Sequence, residues 1–243
     1  CWAYGYDNSK MHVMPECVLF ADSKAQIKDI VRYCFENTIP ITTRGRGTGN
    51  TGGSVPIENS VVLSLEKMNK IIDIDISNRL AVVQPGVINK TLQDELQKEN
   101  FFWGPDPSSQ DYSTIGGNIA NNSAGPRAIK YGTPRDNILG LEFISGTGEI
   151  HKTGVKTSKG VVGLDLTRLF VGSEGVLGIL SEATLKILPL NNSVKTFEIT
   201  FETLKSASDM IIMLMTQPIT PYKLEFVDEQ SVKLINSIKK NHF

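Results

Sequence analysis

Arg44-Gly45-Arg46-Gly47-Thr48-Gly49-Asn50-Thr51-Gly52-Gly53, followed by Ser54-Val55-Pro56 and then the apolar residues Val61, Val62, Leu63 and Leu65, is the stretch on which the fold turns. Closely spaced glycines let the backbone take positive φ and pass near a ligand. Consecutive amides can then face one side and form a nest for phosphate. Gly47 to Gly52 is literally G-x-G-x-x-G, and Asp73 stands where the ribose-binding acid of a Rossmann unit belongs. That unit needs the loop to open a helix whose N-terminus faces the pyrophosphate. Here Pro56 and a strand-like run follow too soon for a helical crossover. A Walker A loop is excluded as well, because Gly53 and Ser54 stand where its lysine is required. The loop reads as a phosphate cradle in another fold, or, taken alone, as an ordinary flexible turn.

The flanks supply regular elements. Ser23 and Gln26 match a capping box. Ile27, Ile30, Val31 and Cys34 then form one helical stripe, ended by Asn37 and Pro40. A short strand around Ile41 enters the glycine loop. Alternation over 71–76 predicts a strand, and a turn at Ser77-Asn78 leads into a second one over 80–84, stopped at Pro85-Gly86. Leu92 and Leu96 mark a helix ending at Asn100, and the long loop 104–113 is of the kind that carries function in a compact domain. Further on come a hairpin (138–145 and 149–152), a short helix (166–170) and a strand (179–188) closed by Pro189. Asn191-Asn192-Ser193 marks a boundary. Beyond it, strands at 196–201 and 223–227 and helices at 206–215 and 230–238 are expected to open a second α+β unit.

Composition narrows the function classes. A chain of 243 residues with 40% hydrophobic and 21% charged residues is that of a folded globular protein, and a net charge of −1 offers no field for a polyanion. Arg44 and Arg46 lack aromatic partners, so no nucleic acid is expected. Cys1, Cys17 and Cys34, with His12, His151 and His242, show no metal-ligand spacing, so no metal site is expected. No apolar run approaches the ~18 residues of a membrane span, and no signal-peptide pattern opens the chain. The chain begins at Cys1 and stops just after a helix-like stretch, which reads as a fragment. His151 reads as an exposed strand residue, and the run Met210-Ile211-Ile212-Met213-Leu214-Met215 as helix core.

Two further segments complete a pattern. Pro105-Asp106-Pro107-Ser108-Ser109 precedes Ser113-Thr114-Ile115-Gly116-Gly117-Asn118-Ile119-Ala120-Asn121-Asn122-Ser123-Ala124-Gly125, then Tyr131-Gly132. Thr114 is placed to cap a helix there. Gly172-Ser173-Glu174-Gly175-Val176-Leu177-Gly178-Ile179 again sets glycines before a strand. Taken together over about residues 4 to 190, these segments resemble the p-cresol-methylhydroxylase-type FAD-binding domain of the vanillyl-alcohol-oxidase superfamily. The similarity is to its glycolate oxidase and D-lactate dehydrogenase branch.

The resemblance implies an α+β fold: a two-subdomain FAD-binding domain over 1–190, split near 66–70, then the start of an incomplete α+β cap over 194–243. It implies that Arg44, Gly45, Arg46, Gly47, Thr48 and Gly49 wrap the FAD pyrophosphate, supported by Gly52, Gly53 and Ser54. A Cβ at Gly47 would then face the anion. Pro85 and Gly86 fall at the adenine end. Asp106, Ser109, Ser113, Thr114, Gly116 and Gly117 run along the pyrophosphate and ribityl side. Asn121 and Gly125 approach the isoalloxazine, with Tyr131 and Gly132 behind them. Gly175, Gly178 and Ile179 match strand-edge contacts. Thr48 stands where some members carry a flavin-linking histidine, so noncovalent FAD is implied. The implied reaction is oxidation of a small 2-hydroxy acid to the 2-oxo acid by hydride transfer to flavin. A sugar acid, aldonolactone or alcohol, or a non-catalytic FAD-binding module, is the alternative. The branch's H-x-H-x-G-D-G-N segment is not present, so no catalytic residue is assigned and the fragment is expected to be inactive. The implied electron acceptor is a partner subunit or a quinone, and the implied location is the cytoplasm or the membrane periphery.

Overall fold

A run of β-branched and leucine side chains buried on both faces makes a central strand, and the first sheet is built around one. The structure, a computed structural model, describes residues 1–157, 159–191 and 193–238. Its first unit comprises β1 (Cys17–Phe20), α1 (Lys24–Glu36), β2 (Ile41–Arg44) and β3 (Val61–Ser64). Every residue of β3 is buried, and β1 and β2 flank it in parallel, with Cys17 and Ile41 both opposite Val61. Helix α1 starts as its sequence predicts and buries Ile27, Val31 and Cys34. Its cap is shifted, however. The Ser23 hydroxyl accepts from the Gln26 amide, but the Gln26 side chain returns to the amide of Asp22, not of Ser23.

The second sheet takes in β4 (Ile71–Asp75), β5 (Leu80–Val83), β6 (Phe101–Trp103), β7 (Ile138–Ile144), β8 (Ile150–Gly154) and β9 (Ile179–Pro189). Between these strands lie α2 (Asn89–Lys98), α3 (Ile115–Ala120), α4 (Ala128–Tyr131) and α5 (Leu166–Phe170). Strand order is β4-β5-β9-β7-β8, all antiparallel, and β6 pairs with the far end of β9. The long β9 is thus the spine of this sheet. Leu92 and Leu96 of α2 and Ile115 and Ile119 of α3 pack onto it beside the fully buried Trp103, whose Nε1–H donates to the Asn137 carbonyl at 3.1 Å. β1 and β6 are the two strands that the residue pattern does not signal. Both are short, and each forms because a longer strand offers it a ladder. His151, in β8 opposite Phe143, is exposed and stacks on that ring.

The two units share a core. Ala21, Ile27, Val31, Leu63, Leu65 and Met68 of the first close on Ile144 of β7 and Ile179 of β9. An ion pair crosses the same seam. Glu142, 4% exposed, accepts from Lys24 Nζ of α1 at 3.0 Å, and it is also held by Lys152 at 3.1 Å and the Ser181 hydroxyl at 2.9 Å. Burial pushes this carboxyl up, and the three donors outweigh it and hold it below its ordinary value.

Beyond β9 only helices form among the described residues: α6 (Leu204–Met215) and α7 (Glu229–Ile238). The strands expected at 196–201 and 223–227 are corrected to extended chain with no ladder, since a strand needs a partner for its N–H and C=O groups. The expectation that Met210 to Met215 form helix core also fails. Only Ala207 of α6 is buried, and Ile212, Met213 and Met215 are exposed. Of the boundary triplet, Asn192 lies outside the described residues. No helix among them is long and apolar enough to cross a membrane.

A carboxylate with a depressed native pKa stabilises the fold above its unfolded value, about 4.3, and loses that contribution as pH falls through the lower native value. Glu142→Gln should therefore lower stability at neutral pH by about 1–3 kcal/mol and flatten the acid limb of the stability curve. Denaturant melts of both proteins from pH 3 to pH 7 measure this. Parallel curves offset by a constant would contradict the assignment.

Candidate functional site

The glycine loop leaves β2 at Arg44, and that residue turns inward. The residue is 6% exposed, and its guanidinium donates to the Tyr6 carbonyl at 2.7 Å and reaches the Ser54 carbonyl at 3.4 Å. Gly47 crosses directly over it at φ +65°, and a Cβ there would lie 2.1 Å from Arg44 Nη2. This corrects the expectation that a side chain at Gly47 faces the anion: the Cβ direction points down onto Arg44. The backbone amides of 45–54 donate to no protein acceptor among the described residues. A run of unpaired amides, with residues 45–49, 53 and 54 lining a cleft, is a ready donor site for phosphate oxygens.

The second loop is built the other way. Thr114 caps α3 by accepting from the Gly117 amide at 3.2 Å. The Ile115 and Gly116 amides are taken by the Val87 and Pro85 carbonyls, both at 2.8 Å. This helix start has no amide left to offer and contributes shape instead. A Cβ at Gly45 would sit 2.4 Å from Thr114 Oγ1, so the loops of the two sheets touch at that point. Beneath them a buried polar chain runs from Asn89 to Asn118 (2.9 Å) and from Asn118 to Ser113 (3.1 Å).

Between the loops lies a cleft of about 960 Å³, including its open mouth. The structure brings most of the expected residues to it. Gly45, Arg46, Gly47, Thr48, Gly49, Gly53 and Ser54 line one wall. Pro85, Ser109, Thr114, Gly116, Gly117 and Asn121 line the opposite one, and Gly175 and Gly178 close an end. The others stand behind this lining. Arg44, Gly52 and Gly86 lie under the loops, Gly52 against Met11 and Gly86 against the Leu65 carbonyl. Ser113 is spent on Asn118, and Ile179 on the shared core. Gly125 packs on the Asp106 backbone. The Asp106 carboxylate is buried, accepting from the Arg127 amide at 3.0 Å and pairing with Arg127 and, at 3.0 Å, with Lys223. Tyr131 stacks edge-on against Phe102 and Tyr222, with Gly132 next to it at φ +75°. Asp106 and Tyr131 anchor the cleft's second loop to the chain beyond β9.

The expected set also leaves out wall residues. Asn118, Ala120, Ser123 and Glu174 line the cleft from within segments whose glycines stand out more in the sequence. Thr43, Leu65, Phe170 and Leu180 carry no signal beyond ordinary strand and helix positions, and Asp7 carries none at all. Leu65, Pro85, Phe170 and Leu180 give the cleft an apolar floor suited to a flat ring, beside the polar amide wall. Arg46, at the wall, is fixed by Glu66 at 2.8 Å, which also accepts from the Tyr4 hydroxyl at 2.5 Å. Burial raises the Glu66 carboxyl, and the bonds from Tyr4 and Arg46 more than offset it, leaving the group below its usual range.

An amide cradle facing an apolar floor, at the seam of a parallel and an antiparallel sheet, defines a domain that binds a nucleotide carrying a flat ring. The chain belongs to the FAD binding domain family, whose profile matches residues 15–154. It is 41% identical over 238 residues to "Glycolate oxidase subunit GlcD" of Bacillus subtilis (strain 168), covering 98% of this chain and 51% of that protein. It is 38% identical over 218 residues to "D-lactate dehydrogenase" of Anaerostipes hadrus, covering 90% and 46%. The chain thus spans about half the length of the curated relatives it matches. Among solved structures, "alkyldihydroxyacetonephosphate synthase" superposes with a TM-score of 0.64 at 26% identity, over 72% of this chain and 34% of that one. The residues of the cleft fit FAD: free amides for a pyrophosphate and an apolar floor for its rings.

Gly47→Ala tests the loop. The positive φ costs a non-glycine residue about 1–2 kcal/mol, and the new methyl displaces the Arg44 guanidinium. FAD affinity should fall at least tenfold in a fluorescence-quenching titration, with little change in secondary structure by circular dichroism. Unchanged affinity would remove the loop from the site.

Proposed function

We propose that this chain is the FAD-holding part of an oxidoreductase that converts a small 2-hydroxy acid, of the glycolate or D-lactate type, to the 2-oxo acid. The observation that carries the reading is the run of unpaired amides over 45–54 in the cleft wall, in a chain whose relatives bear those two names. On this reading residues 1–190 form the FAD-binding domain, in two subdomains divided near 66–70, and residues from 194 on open a unit that covers the substrate. The site residues are those named for the two walls, with Arg44, Asp106, Ser113, Gly125, Tyr131 and Gly132 supporting them from behind. Bound FAD supplies the hydride acceptor, chemistry that no side chain offers.

The chain's own residues bind and orient. The amides of the first loop hold the pyrophosphate, and Arg46, pinned by Glu66, adds positive potential at the wall. Leu65, Pro85, Phe170 and Leu180 exclude water from the ring. Arg46 is the one cation lining the cleft among the described residues, and Glu66 already engages it. A cation for the substrate carboxylate therefore comes from outside the cleft lining. No histidine lines the cleft among the described residues, which supports noncovalent FAD. A partner subunit or a quinone takes the electrons onward, in the cytoplasm or at the membrane periphery.

The chain mixed with FAD and desalted should stay yellow, and acid precipitation should release all the flavin. The intact protein should reduce a dye with glycolate or D-lactate, while the 243-residue chain with FAD should not, since general-base assistance alone is typically worth about 10²–10⁴-fold. Flavin that stays with the precipitate would contradict the noncovalent assignment. An intact protein inert toward every 2-hydroxy acid would leave a superfamily member with another substrate, or a non-catalytic FAD-binding module.

A further inference from the structure

The amide loop is hardly bonded to itself. Within 45–55 the one backbone hydrogen bond among the described residues runs from the Val55 amide to the Gly52 carbonyl. A glycine-rich segment with so little internal bonding has many conformations open to it, and ordering each residue costs about 1–2 kcal/mol. Something outside the loop sets its shape.

Besides Thr114, Glu66 and Glu174, the N-terminal segment touches the loop at several points, and it lies ahead of residue 15, where the family match begins. The Tyr6 carbonyl accepts from the buried Arg44 guanidinium at 2.7 Å, and the Tyr4 ring lies 5.5 Å from the same group. The Asn8 amide donates to the Gly49 carbonyl at 3.0 Å, and its side chain donates to Asn50 at 2.6 Å. Met11 packs against Gly52. Asp7 sits at the centre, 2% exposed. Its Oδ1 accepts from the Ser9 amide at 2.9 Å, and its Oδ2 faces the Ser54 hydroxyl at 3.5 Å. No positively charged side chain pairs with Asp7 directly among the described residues, yet it is the foremost of the charges that hold Arg44 in its charged form against burial. Ser54 links the two: its hydroxyl accepts from Arg44 Nη1 at 3.5 Å and donates to Asp7 Oδ2.

We propose that residues 4–11 are a strap that fixes the shape of the pyrophosphate-holding loop, with Asp7 as its positioning residue. Asp7 acts through Arg44 and Ser54. Being a carboxylate, it offers no hydrogen-bond donor to a phosphate, and its presence in the cleft wall is explained by the cation it balances. The strap rests on the reading that loop 45–54 holds the FAD pyrophosphate.

The test compares the wild type with Asp7→Ala and with Asn8→Ala, the latter on the surface and therefore safe for folding. FAD binding is followed by flavin fluorescence quenching, with ADP as a competitor that carries a pyrophosphate but no flavin. Trypsin cleavage after Arg44 and Arg46 is timed on the FAD-free proteins. Asp7→Ala should weaken FAD and ADP by the same factor, about tenfold or more, and should speed cleavage at both arginines. Asn8→Ala should do both to a smaller degree, about two- to fivefold. If ADP displaces FAD from the wild type but neither variant alters affinity or cleavage, the strap is wrong and the loop assignment stands. If ADP fails to displace FAD from the wild type, the loop assignment falls and the strap's role in cofactor binding falls with it. If Asp7→Ala does not fold, Asn8→Ala decides alone: wild-type affinity and cleavage overturn the strap.

Discussion

The backbone amides of residues 45–54 bond to no carbonyl of the protein among the described residues, and the structure around them follows from that constraint. A loop that keeps its amides free gives up the bonds that would hold a turn in shape. Rigidity has to come from below and from the sides. Arg44 supplies the support from below, with Gly47 crossing its guanidinium too closely for any side chain. The N-terminal segment holds one side, and contact between Gly45 and Thr114 joins the other to the second sheet. The opposite wall shows the contrast. There the α3 amides are all taken by Pro85, Val87 and Thr114, so that wall is rigid by itself and contributes contour and not donors.

The position of the cleft follows from how the two sheets join. Ile144 and Ile179, at the ends of β7 and β9, are shared with the core of the first unit, so the two sheets join at those strand ends. Such a seam leaves a gap where the loops at the strand ends converge. Its walls are accordingly drawn from segments far apart in the chain, from Asp7 to Leu180. Glu142 and Lys24 tie the same seam electrostatically. A second tie lies behind the cleft, where the buried Asp106 pairs with Lys223 and the Arg127 guanidinium lies over the rings of Phe102 and Tyr222. Through it the chain beyond β9 is connected to the loop that carries Ser109 along the cleft.

Much of this was legible from residue pattern because the features concerned are local. Helix α1 is visible in its stripe and its cap, β3 in its apolar run, the β7–β8 hairpin in its turn, and α3 in Thr114. The glycine loops stood out because a backbone that must pass close to a ligand tolerates few other residues. The failures share a cause too. The extended stretches at 196–201 and 223–227 alternate like strands but have no ladder among the described residues, and α6 is apolar like a core helix but buries only Ala207. Periodicity shows which face wants a partner, and does not show whether one is there.

The sequence by itself excluded a Rossmann context for residues 44–54, because the residues after Gly53 leave no room for a helix. It determined the order of the glycine segments and, through their resemblance to a known domain, the cofactor. Tertiary structure alone decided which of those residues face the cleft and which stand behind it. Arg44 and Asp106 read as ligand-facing, yet they point into the protein because polar and charged groups from elsewhere in the chain meet them there. Asp7 reads as nothing, yet it lies in the wall. Direction and burial depend on what packs against a side chain, and those partners, such as Lys223 for Asp106, lie far away along the chain.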